Sequence, residues 1–194
     1  MTRVTPVGSM SKEDIRKEFI RRRAGIDKEE HKRRSSCAMR QIIDSEEYAR
    51  CTRLLAYMPV RNEISTADLV SDVLNLGRML YLPRVARERR ELEIVRVSDI
   101  STDLAKGTFG ILEPVGALGA ATQAEIEQIE IAVIPGVAFD REGYRLGYGA
   151  GYFDGFLSKL SADCLTVGVC FSEQLVERLP RDPWDVPVKR VVVG

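Results

Sequence analysis

The chain has 194 residues, of which 44% are hydrophobic and 30% are charged, as is typical of a soluble globular domain with a sizeable core. The formal net charge is zero, which argues against broad electrostatic capture of nucleic acid. No apolar run approaches the roughly 20 residues of a membrane span, and no signal-peptide pattern is visible, so we expect a cytoplasmic protein. The four cysteines show neither a CxxC pair nor zinc-like spacing, which indicates reduced thiols.

The N-terminal region predicts a short tail followed by helices. Residues 1–10 lack hydrophobic periodicity, which indicates a disordered tail before one domain that spans residues 11–194. The segment SKEDIRKEFIRRRAG predicts a helix that Ser11 caps, with Asp14 in the capping-box position and Gly25 at its end. A second helix follows directly.

Cations share the apolar face of this first helix. At 100° per residue, three apolar and three basic side chains point the same way: Ile15, Phe19, Ile20, Lys12, Arg16 and Arg23. A cation that is directed toward the body of a protein needs a partner, because burying it unpaired is costly. Such side chains pair with internal carboxylates, extend to solvent or hold an anion, and the sequence leaves these alternatives open.

The rest of the chain alternates between apolar strands and helices. The predicted strands are RLLAYMP, RMLYLP, LEIVRV, EIAVIPGVAF, LTVGVCF and KRVVV. Helices are predicted between several of them, at residues 66–76, 122–128, 151–160 and 172–178. This pattern predicts an α/β fold, with three layers, a mostly parallel central sheet and helices on both faces. Ligands in such folds bind beyond the carboxyl ends of the strands.

Three glycines at alternate positions dominate the segment RLGYGAGYFDGFL. Gly147, Gly149 and Gly151 stand where a loop enters a predicted helix, with Arg145 before them and Asp154 after them. Glycine lets a backbone approach a phosphate, and a cation, a row of N–H groups and a carboxylate are what a magnesium nucleotide requires. The spacing excludes the dinucleotide fingerprint GxGxxG and the phosphate loop GxxxxGK[ST]. An anion cradle and a tight strand-to-helix connection without a ligand explain the glycines equally well.

The wider segment IPGVAFDREGYRLGYGAGYFDGFL closely resembles the signature of the 5-formyltetrahydrofolate cyclo-ligase family, whose members are also called 5,10-methenyltetrahydrofolate synthetases. The family pattern is roughly PGLAFDxxGxRLGYGGGYYDR. Shorter matches follow the family's order along nearly the whole chain: Lys12 with Arg16, YMPVRNEIST, YLPR, ILEP and LPRDPWD. The long glycine motif is highly specific, whereas the short matches are informative through their order.

The resemblance implies a ligase that uses ATP and Mg²⁺ to convert 5-formyltetrahydrofolate to 5,10-methenyltetrahydrofolate. The implied ATP contacts, with Arg145 as the catalytic cation, are Lys12, Arg16, Arg145, Leu146, Gly147, Tyr148, Gly149, Ala150, Gly151, Tyr152 and Phe153. The implied folate contacts are Met58 and Glu63, together with residues 147–151 of the same loop. The implied Mg²⁺ ligands are Asp154 and Asp185. We expect only small-molecule partners, no nucleic acid, no membrane and a monomer.

The chemistry of that reaction suits these residue types. Transfer of the γ-phosphoryl group to the formyl oxygen activates the formyl carbon, N10 of the folate attacks it, and phosphate departs. The transfer needs positioning and charge neutralisation rather than a protein nucleophile. Glu63 is an acceptor suited to the amino and ring N–H donors of the pterin.

Four positions depart from the family pattern and leave an alternative open. Ala150 and Phe153 change the loop modestly, whereas Gly155 replaces an arginine and Trp184 replaces a histidine near the expected magnesium site. The last two changes motivate a second hypothesis, a non-catalytic relative that binds nucleotide or folate. A nucleic-acid module that uses the basic N-terminal helices is disfavoured by the zero net charge and the lack of a recognised motif.

Overall fold

The fold is given by a computed structural model, which describes Val7, residues 10–107 and residues 110–194. Most of the expected tail, at positions 1–6 and 8–9, lies outside the described residues. Val7 is buried in one cluster with Ile15 and Phe19 of the first helix. In the described part of the chain, every helix is too short or too polar to cross a lipid bilayer.

Seven α-helices lie in the described part of the chain. In chain order they are α1 (Lys12–Ala24), α2 (Lys28–Ile43), α3 (Glu46–Arg50), α4 (Ala67–Asn75), α5 (Ile100–Asp103), α6 (Gln123–Glu127) and α7 (Tyr152–Leu157). The Ser11 hydroxyl accepts a hydrogen bond from the Asp14 main-chain N–H at 3.1 Å, and Gly25 follows the last residue of α1. The predicted start and end of this helix are therefore confirmed.

The strands form a central six-stranded sheet and two smaller sheets. In chain order they are β1 (Arg53–Leu55), β2 (Met79–Ala86), β3 (Glu91–Val97), β4 (Leu104–Lys106), β5 (Leu112–Pro114), β6 (Ile131–Ile134), β7 (Ala138–Asp140), β8 (Arg145–Leu146), β9 (Leu165–Cys170), β10 (Leu175–Val176) and β11 (Arg190–Val193). The central order is β11-β9-β6-β1-β2-β3, and every neighbouring pair except β2–β3 is parallel. The smaller sheets are β10-β7-β8 and β4-β5. The predicted, mostly parallel central sheet is confirmed.

Helices cover the central sheet on both faces. Leu54 of β1 belongs to a buried cluster with Met39 of α2 and Leu69 of α4, which we call the α2–α4 cluster. The next residue, Leu55, belongs to a different cluster with Phe156 of α7, which we call the α7 cluster. Successive side chains of a strand point to opposite faces, so one strand contributes to both clusters. This is the three-layer arrangement that the sequence predicts.

The strand order reverses its direction at β1. From β1 the chain adds β2 on one side, whereas β6, β9 and β11 lie on the other side. Leu55 of β1 is opposite Ala132 of the parallel strand β6. In open α/β sheets, ligands bind in the crevice beyond the carboxyl ends of the strands at such a reversal. The loops that follow Leu55 and Ile134 therefore frame the expected ligand site.

The apolar segment EIAVIPGVAF forms two strands instead of the predicted one. The chain bends at Pro135 and Gly136, between β6 of the central sheet and β7 of the small sheet. Pro135 has no N–H group for a sheet ladder, and a Cβ atom at Gly136 would lie 2.6 Å from the Phe139 ring. The bend carries β7 and β8 beyond the carboxyl end of β6.

The prediction of a helix at residues 172–178 is wrong. The helix predicted at residues 151–160 forms but is shorter, because α7 spans Tyr152–Leu157. Residues Ser172–Gln174 form a single turn of 3-10 helix, and β10 then pairs with β7. The Gln174 side chain donates to the carbonyls of Gly136 and Val137 at 3.2 and 2.8 Å. These bonds to a distant segment hold the chain against β7, and a local helical pattern does not reveal them.

Candidate active site

The loop after β1 places Glu63 at the carboxyl edge of the central sheet. Arg61 and Asn62 have φ angles of 47° and 63°, which residues other than glycine adopt rarely. The Asn62 side chain donates to the Arg23 carbonyl at 2.8 Å, and the Glu63 carboxylate accepts the Val60 N–H at 3.0 Å. This tight turn folds the Glu63 side chain inward, where the residue is only 4% exposed.

The glycine loop, residues 147–151, connects β8 to α7. Gly149 and Gly151 have φ angles of +102° and +72°, a backbone region that favours glycine. Arg16 of α1 donates from Nε to the Gly147 carbonyl at 2.9 Å, and its guanidinium carbon lies 3.4 Å from where a Cβ of Gly149 would stand. The turn itself thus accounts for two of the three glycines, and Arg16 adds a cation directly against the loop.

Arg145 and Asp154 form an ion pair across the glycine loop. Arg145 donates from Nη1 to Asp154 Oδ1 at 2.9 Å, and its side chain is 3% exposed. Burial lowers the pKa of Arg145, and the charge of Asp154 opposes that shift. The Arg145 Nε is buried and has no hydrogen-bond partner among the described residues. A buried donor without a partner is costly, so this N–H is suited to an acceptor that arrives with a ligand.

Lys12 binds two carboxylates of a turn at residues 182–185. Its Nζ lies 2.7 Å from Asp182 Oδ2 and 2.8 Å from Asp185 Oδ2. Burial alone would lower the pKa of Lys12 and raise that of Asp185. The hydrogen bonds within this group outweigh burial, so the pKa of Lys12 is raised and that of Asp185 is lowered. An expected ATP cation and an expected metal ligand are therefore in direct contact.

Tyr148 links the glycine loop to Glu63. Its hydroxyl accepts a hydrogen bond from Arg23 Nη2 at 2.6 Å and donates one to Glu63 Oε1 at 2.8 Å. Burial, followed by the charge of Glu63, raises the pKa of Tyr148 to about 12, which keeps the hydroxyl a donor. Burial also raises the pKa of Glu63, and Arg23 opposes that shift. The expected nucleotide and folate contacts thus meet at one hydroxyl group.

The carboxylates fit a magnesium ion only together with a nucleotide. In the described part of the chain, no group of three or more His, Cys, Asp or Glu side chains is arranged to hold a metal ion. Asp154 and Asp185 each pair with a cation, and both influence the pKa of Arg145. Mg²⁺ commonly binds one or two protein carboxylates and takes its other oxygens from water and substrate phosphates. Asp154 and Asp185 are a suitable donor set for that arrangement.

A second concave surface lies where β2 continues beyond β1. Tyr81 of β2 is opposite Leu55, the last residue of β1, so the following residues of β2 extend past the edge. A cavity of about 550 Å³ there has a lining that includes Arg84, Arg87 and Lys106. The lining is mixed in charge, because it also includes Glu113, and Arg84 is paired with Glu93 at 2.7 Å.

Most of the expected site residues are in contact with one another. Four contacts join them in pairs: Lys12 with Asp185, Arg16 with Gly147, Arg145 with Asp154, and Tyr148 with Glu63. Other expected side chains contribute packing or face solvent: Met58 against the α2–α4 cluster, Leu146 in the cluster beneath α1, Tyr152 and Phe153 against the α7 cluster, and Ala150 exposed.

Two residues of the site, Arg23 and Asp182, are not among the site residues that the resemblance implies. Arg23 carries a visible signal, because it lies on the apolar face of α1 although it is charged. Asp182 carries none, because the family spacing P-x-x-x-x-D within LPRDPWD selects Asp185.

Comparisons with known proteins identify the family and the fold. The model of the 5-formyltetrahydrofolate cyclo-ligase family matches residues 8–194. The chain is 24% identical over 188 residues to the 5-formyltetrahydrofolate cyclo-ligase of Mus musculus, covering 94% of this chain and 93% of that protein. It is 32% identical over 141 residues to the protein of the same name from Mycolicibacterium smegmatis, covering 71% of each. The NMR structure of Aquifex aeolicus 5,10-methenyltetrahydrofolate synthetase is similar with a TM-score of 0.81 and 36% identity, covering 95% of this chain and 90% of that one.

Proposed function

Because this chain belongs to the 5-formyltetrahydrofolate cyclo-ligase family, we propose that it closes 5-formyltetrahydrofolate to 5,10-methenyltetrahydrofolate in a reaction that consumes ATP. The observation that carries the proposal is the environment of the glycine loop. Arg16 contacts the loop, Arg145 and Asp154 flank it, and Tyr148 within it reaches Glu63. One short loop therefore adjoins cations suited to a triphosphate and a carboxylate suited to a pterin.

Three cations would neutralise the triphosphate: Lys12, Arg16 and Arg145. Phosphoryl transfer depends mainly on positioning and charge neutralisation, and a cation acts more strongly where it is shielded from water. Arg145 is the most buried of the three and has a free Nε–H beside its ion pair. We assign that N–H to the transferring phosphoryl group, because it can donate without breaking the contact with Asp154.

Asp154 and Asp185 are the residues that would hold Mg²⁺ beside the nucleotide. When bound, the ion neutralises charge on the phosphate oxygens. Lys12 pairs with Asp185 in the free protein. When Asp185 serves as a metal ligand, Lys12 would contact a phosphate oxygen of the nucleotide instead. Each charge keeps an opposite charge beside it throughout the exchange, which limits the desolvation cost.

Glu63 is the group that would recognise the pterin ring. An ionised carboxylate only accepts hydrogen bonds, and the pterin edge offers N–H donors. The Tyr148 hydroxyl donates a hydrogen bond to Glu63 Oε1 in the free protein. An N–H donor of the pterin would replace that hydroxyl when folate binds. Glycines on both sides of Tyr148 allow its side chain to move away. Met58, from the same loop as Glu63, adds apolar contact.

The proposed reaction needs no protein nucleophile. The formyl oxygen attacks the γ-phosphorus, a new O–P bond forms, and the bond from the γ-phosphorus to its bridging oxygen breaks to release ADP. N10 then attacks the activated carbon, the C–O bond breaks with phosphate as the leaving group, and the N10 proton passes to water. Arg145 and Arg16 stabilise the charge on the transferred group, and Glu63 fixes the orientation of the folate.

A single assay tests the proposal. Protein, 5-formyltetrahydrofolate, ATP and Mg²⁺ are mixed, and the absorbance of the methenyl product is followed. We expect product with ATP and none without it. Tight folate binding without turnover would instead identify a non-catalytic relative. The departures at Gly155 and Trp184 motivate that alternative: a Cβ built at Gly155 would meet nothing within 4 Å, so the space of the missing arginine is open, and Trp184 is 69% exposed.

A further inference from the structure

Arg23 is a charged side chain in the protein interior to which the proposed reaction assigns no role. It is 1% exposed, and it donates to the Arg61 carbonyl at 3.0 Å, the Gly136 carbonyl at 3.3 Å and the Tyr148 hydroxyl at 2.6 Å. Glu63 Oε1 lies 3.9 Å from its Nη1. A buried guanidinium is costly unless it is hydrogen-bonded and lies near an opposite charge. Arg23 therefore stabilises the ionised form of Glu63.

The ionisable groups that face Glu63 come from four segments: Arg23 of α1, His31 of α2, Tyr57 and Arg61 of the loop after β1, and Tyr148 of the glycine loop. His31 donates from Nε2 to the Glu63 main-chain carbonyl at 2.8 Å, so it does not contact the carboxylate. Burial raises the pKa of Glu63, and Arg23 is the strongest of the influences that lower it. Arg23, whose Nη1 lies 3.9 Å from Glu63 Oε1, is thus the main counter-charge of this carboxylate.

We propose that Arg23 is a positioning residue of the folate site, which keeps Glu63 ionised and directs the Tyr148 hydroxyl onto it until a pterin takes its place. The proposal depends on the function proposed above, which makes Glu63 the folate acceptor. A protonated Glu63 would present an O–H donor to the N–H donors of the pterin, and one acceptor site would be lost. Arg23 acts on the substrate only through Glu63 and Tyr148.

The test is the pH dependence of folate binding, measured by calorimetry with 5-formyltetrahydrofolate and no nucleotide. Ionised Glu63 is the binding form, so affinity falls as the pH drops through the pKa of Glu63. Arg23→Gln removes the influence that lowers this pKa, so the loss begins at a higher pH than in the wild type. Below the shifted pKa, we expect about a tenfold loss of affinity per pH unit. Arg23→Lys keeps the charge and should move the profile back toward the wild type.

The control is a double-mutant cycle with Glu63→Gln. An amide does not titrate, so Glu63→Gln should bind folate weakly, with an affinity that does not change with pH. Adding Arg23→Gln to this variant should change its folate affinity little further. A loss that is equal at every pH and persists in the Glu63→Gln background would show that Arg23 only supports the structure, and it would overturn the proposal.

A second variant decides the matter if Arg23→Gln does not fold. Arg23→Lys keeps the charge but cannot supply the three directed donors of the guanidinium. Its loss of folate affinity on acidification should therefore begin at a slightly higher pH than in the wild type, and this loss should be absent in the Glu63→Gln background. Equal losses in both backgrounds overturn the proposal. Failure of the enzymatic proposal is a separate result. If the wild type forms no product but still loses folate affinity as the pH drops through the pKa of Glu63, the role proposed for Arg23 stands.

Discussion

The nucleotide half of the candidate site and its folate half hold their charges in different ways. In the nucleotide half, Lys12 pairs with Asp182 and Asp185, and Arg145 pairs with Asp154, each through a partly exposed carboxylate. In the folate half, the carboxylate of Glu63 is buried. It completes its hydrogen bonds with a neutral hydroxyl and a main-chain N–H, and Arg23 lies 3.9 Å away.

The difference determines how each half meets its ligand. A partly exposed ion pair can exchange partners with a magnesium nucleotide, since every charge keeps an opposite neighbour. When a hydrogen-bond donor is withdrawn from a buried carboxylate and nothing replaces it, the protein loses about 1–3 kcal/mol of stability or more. The folate half therefore needs a stand-in donor in the free protein, and Tyr148 supplies it. In the nucleotide half, the donors in the free protein are the charged side chains of Lys12 and Arg145, which pair with Asp185 and Asp154.

The largest effect that we expect is that of Asp154→Asn. The amide keeps the shape of the side chain but removes the charge that pairs with Arg145 and that Mg²⁺ prefers. Turnover should fall on the order of 100-fold or more, and magnesium-ATP should bind more weakly. Initial rates measured over a range of magnesium concentrations check this. Asp163→Asn removes an exposed carboxylate elsewhere and is the matched control. Wild-type turnover at limiting magnesium would exclude Asp154 as a metal ligand.

Gly149→Val should abolish nucleotide binding in a protein that still folds. Gly149 has a φ of +102°, and its Cβ would point at the Arg16 guanidinium. A β-branched residue resists this backbone conformation at a cost of about 1–3 kcal/mol and intrudes where a phosphate would lie. Thermal unfolding with and without magnesium-ATP measures both effects, because a ligand stabilises only a fold that binds it.

The exposed Gly119, which has open space for a Cβ, provides the control Gly119→Val. A Gly149→Val protein that melts much earlier, yet still gains stability from ATP, would show that this glycine serves the turn alone. The nucleotide half would then bind its ligand without a close backbone approach at the loop.

Glu63→Gln should act selectively on the folate half. Losing one charge-assisted hydrogen bond costs about 1.5–3 kcal/mol, so the KM for folate should rise about 10- to 150-fold. The KM for ATP should change little, because Glu63 reaches the glycine loop only through a hydroxyl. Glu127→Gln, on the exposed face of α6, is the control. A selective rise in the KM for ATP would assign Glu63 to the nucleotide half and remove the contrast between the two.

Helix α1 shows which parts of the molecule a sequence can predict. The Ser11 cap is local, and the helical period alone brings Lys12 and Arg23 to the face that holds Phe19. The partners of these cations were not predictable. Lys12 meets Asp182 across 170 positions of the chain, and no spacing rule encodes such a contact. The helix wrongly predicted at residues 172–178 has the same origin, since bonds to distant backbone override the local pattern.

The family resemblance indicated candidate site residues but not their surroundings in the fold. It selected Glu63 and the glycine loop, and most of the residues that it selected lie in contact. It gave no sign that Glu63 is buried, because the group that covers it, Tyr148, is 85 positions away in the chain. The charge state and accessibility of a site residue depend on such distant neighbours.

Tyr148→Phe should produce the smallest effect, and one of opposite sign. The hydroxyl competes with the pterin for Glu63 Oε1 in the free protein, and removing it leaves that oxygen with one donor fewer. Water can replace much of this charge-assisted hydrogen bond in the free variant, so the net effect should be about 0.5–1.5 kcal/mol, and folate affinity without nucleotide should rise about 2- to 12-fold. The melting temperature should fall, because Arg23 and Glu63 both lose a partner. Calorimetry measures the folate affinity of this variant, with Tyr144→Phe as the control. The double variant with Glu63→Gln should show no gain in folate affinity, because it lacks the carboxylate. A loss of folate affinity in Tyr148→Phe would mean that the hydroxyl contacts the folate itself, and the folate half would then use Tyr148 as a ligand contact and not as a stand-in donor.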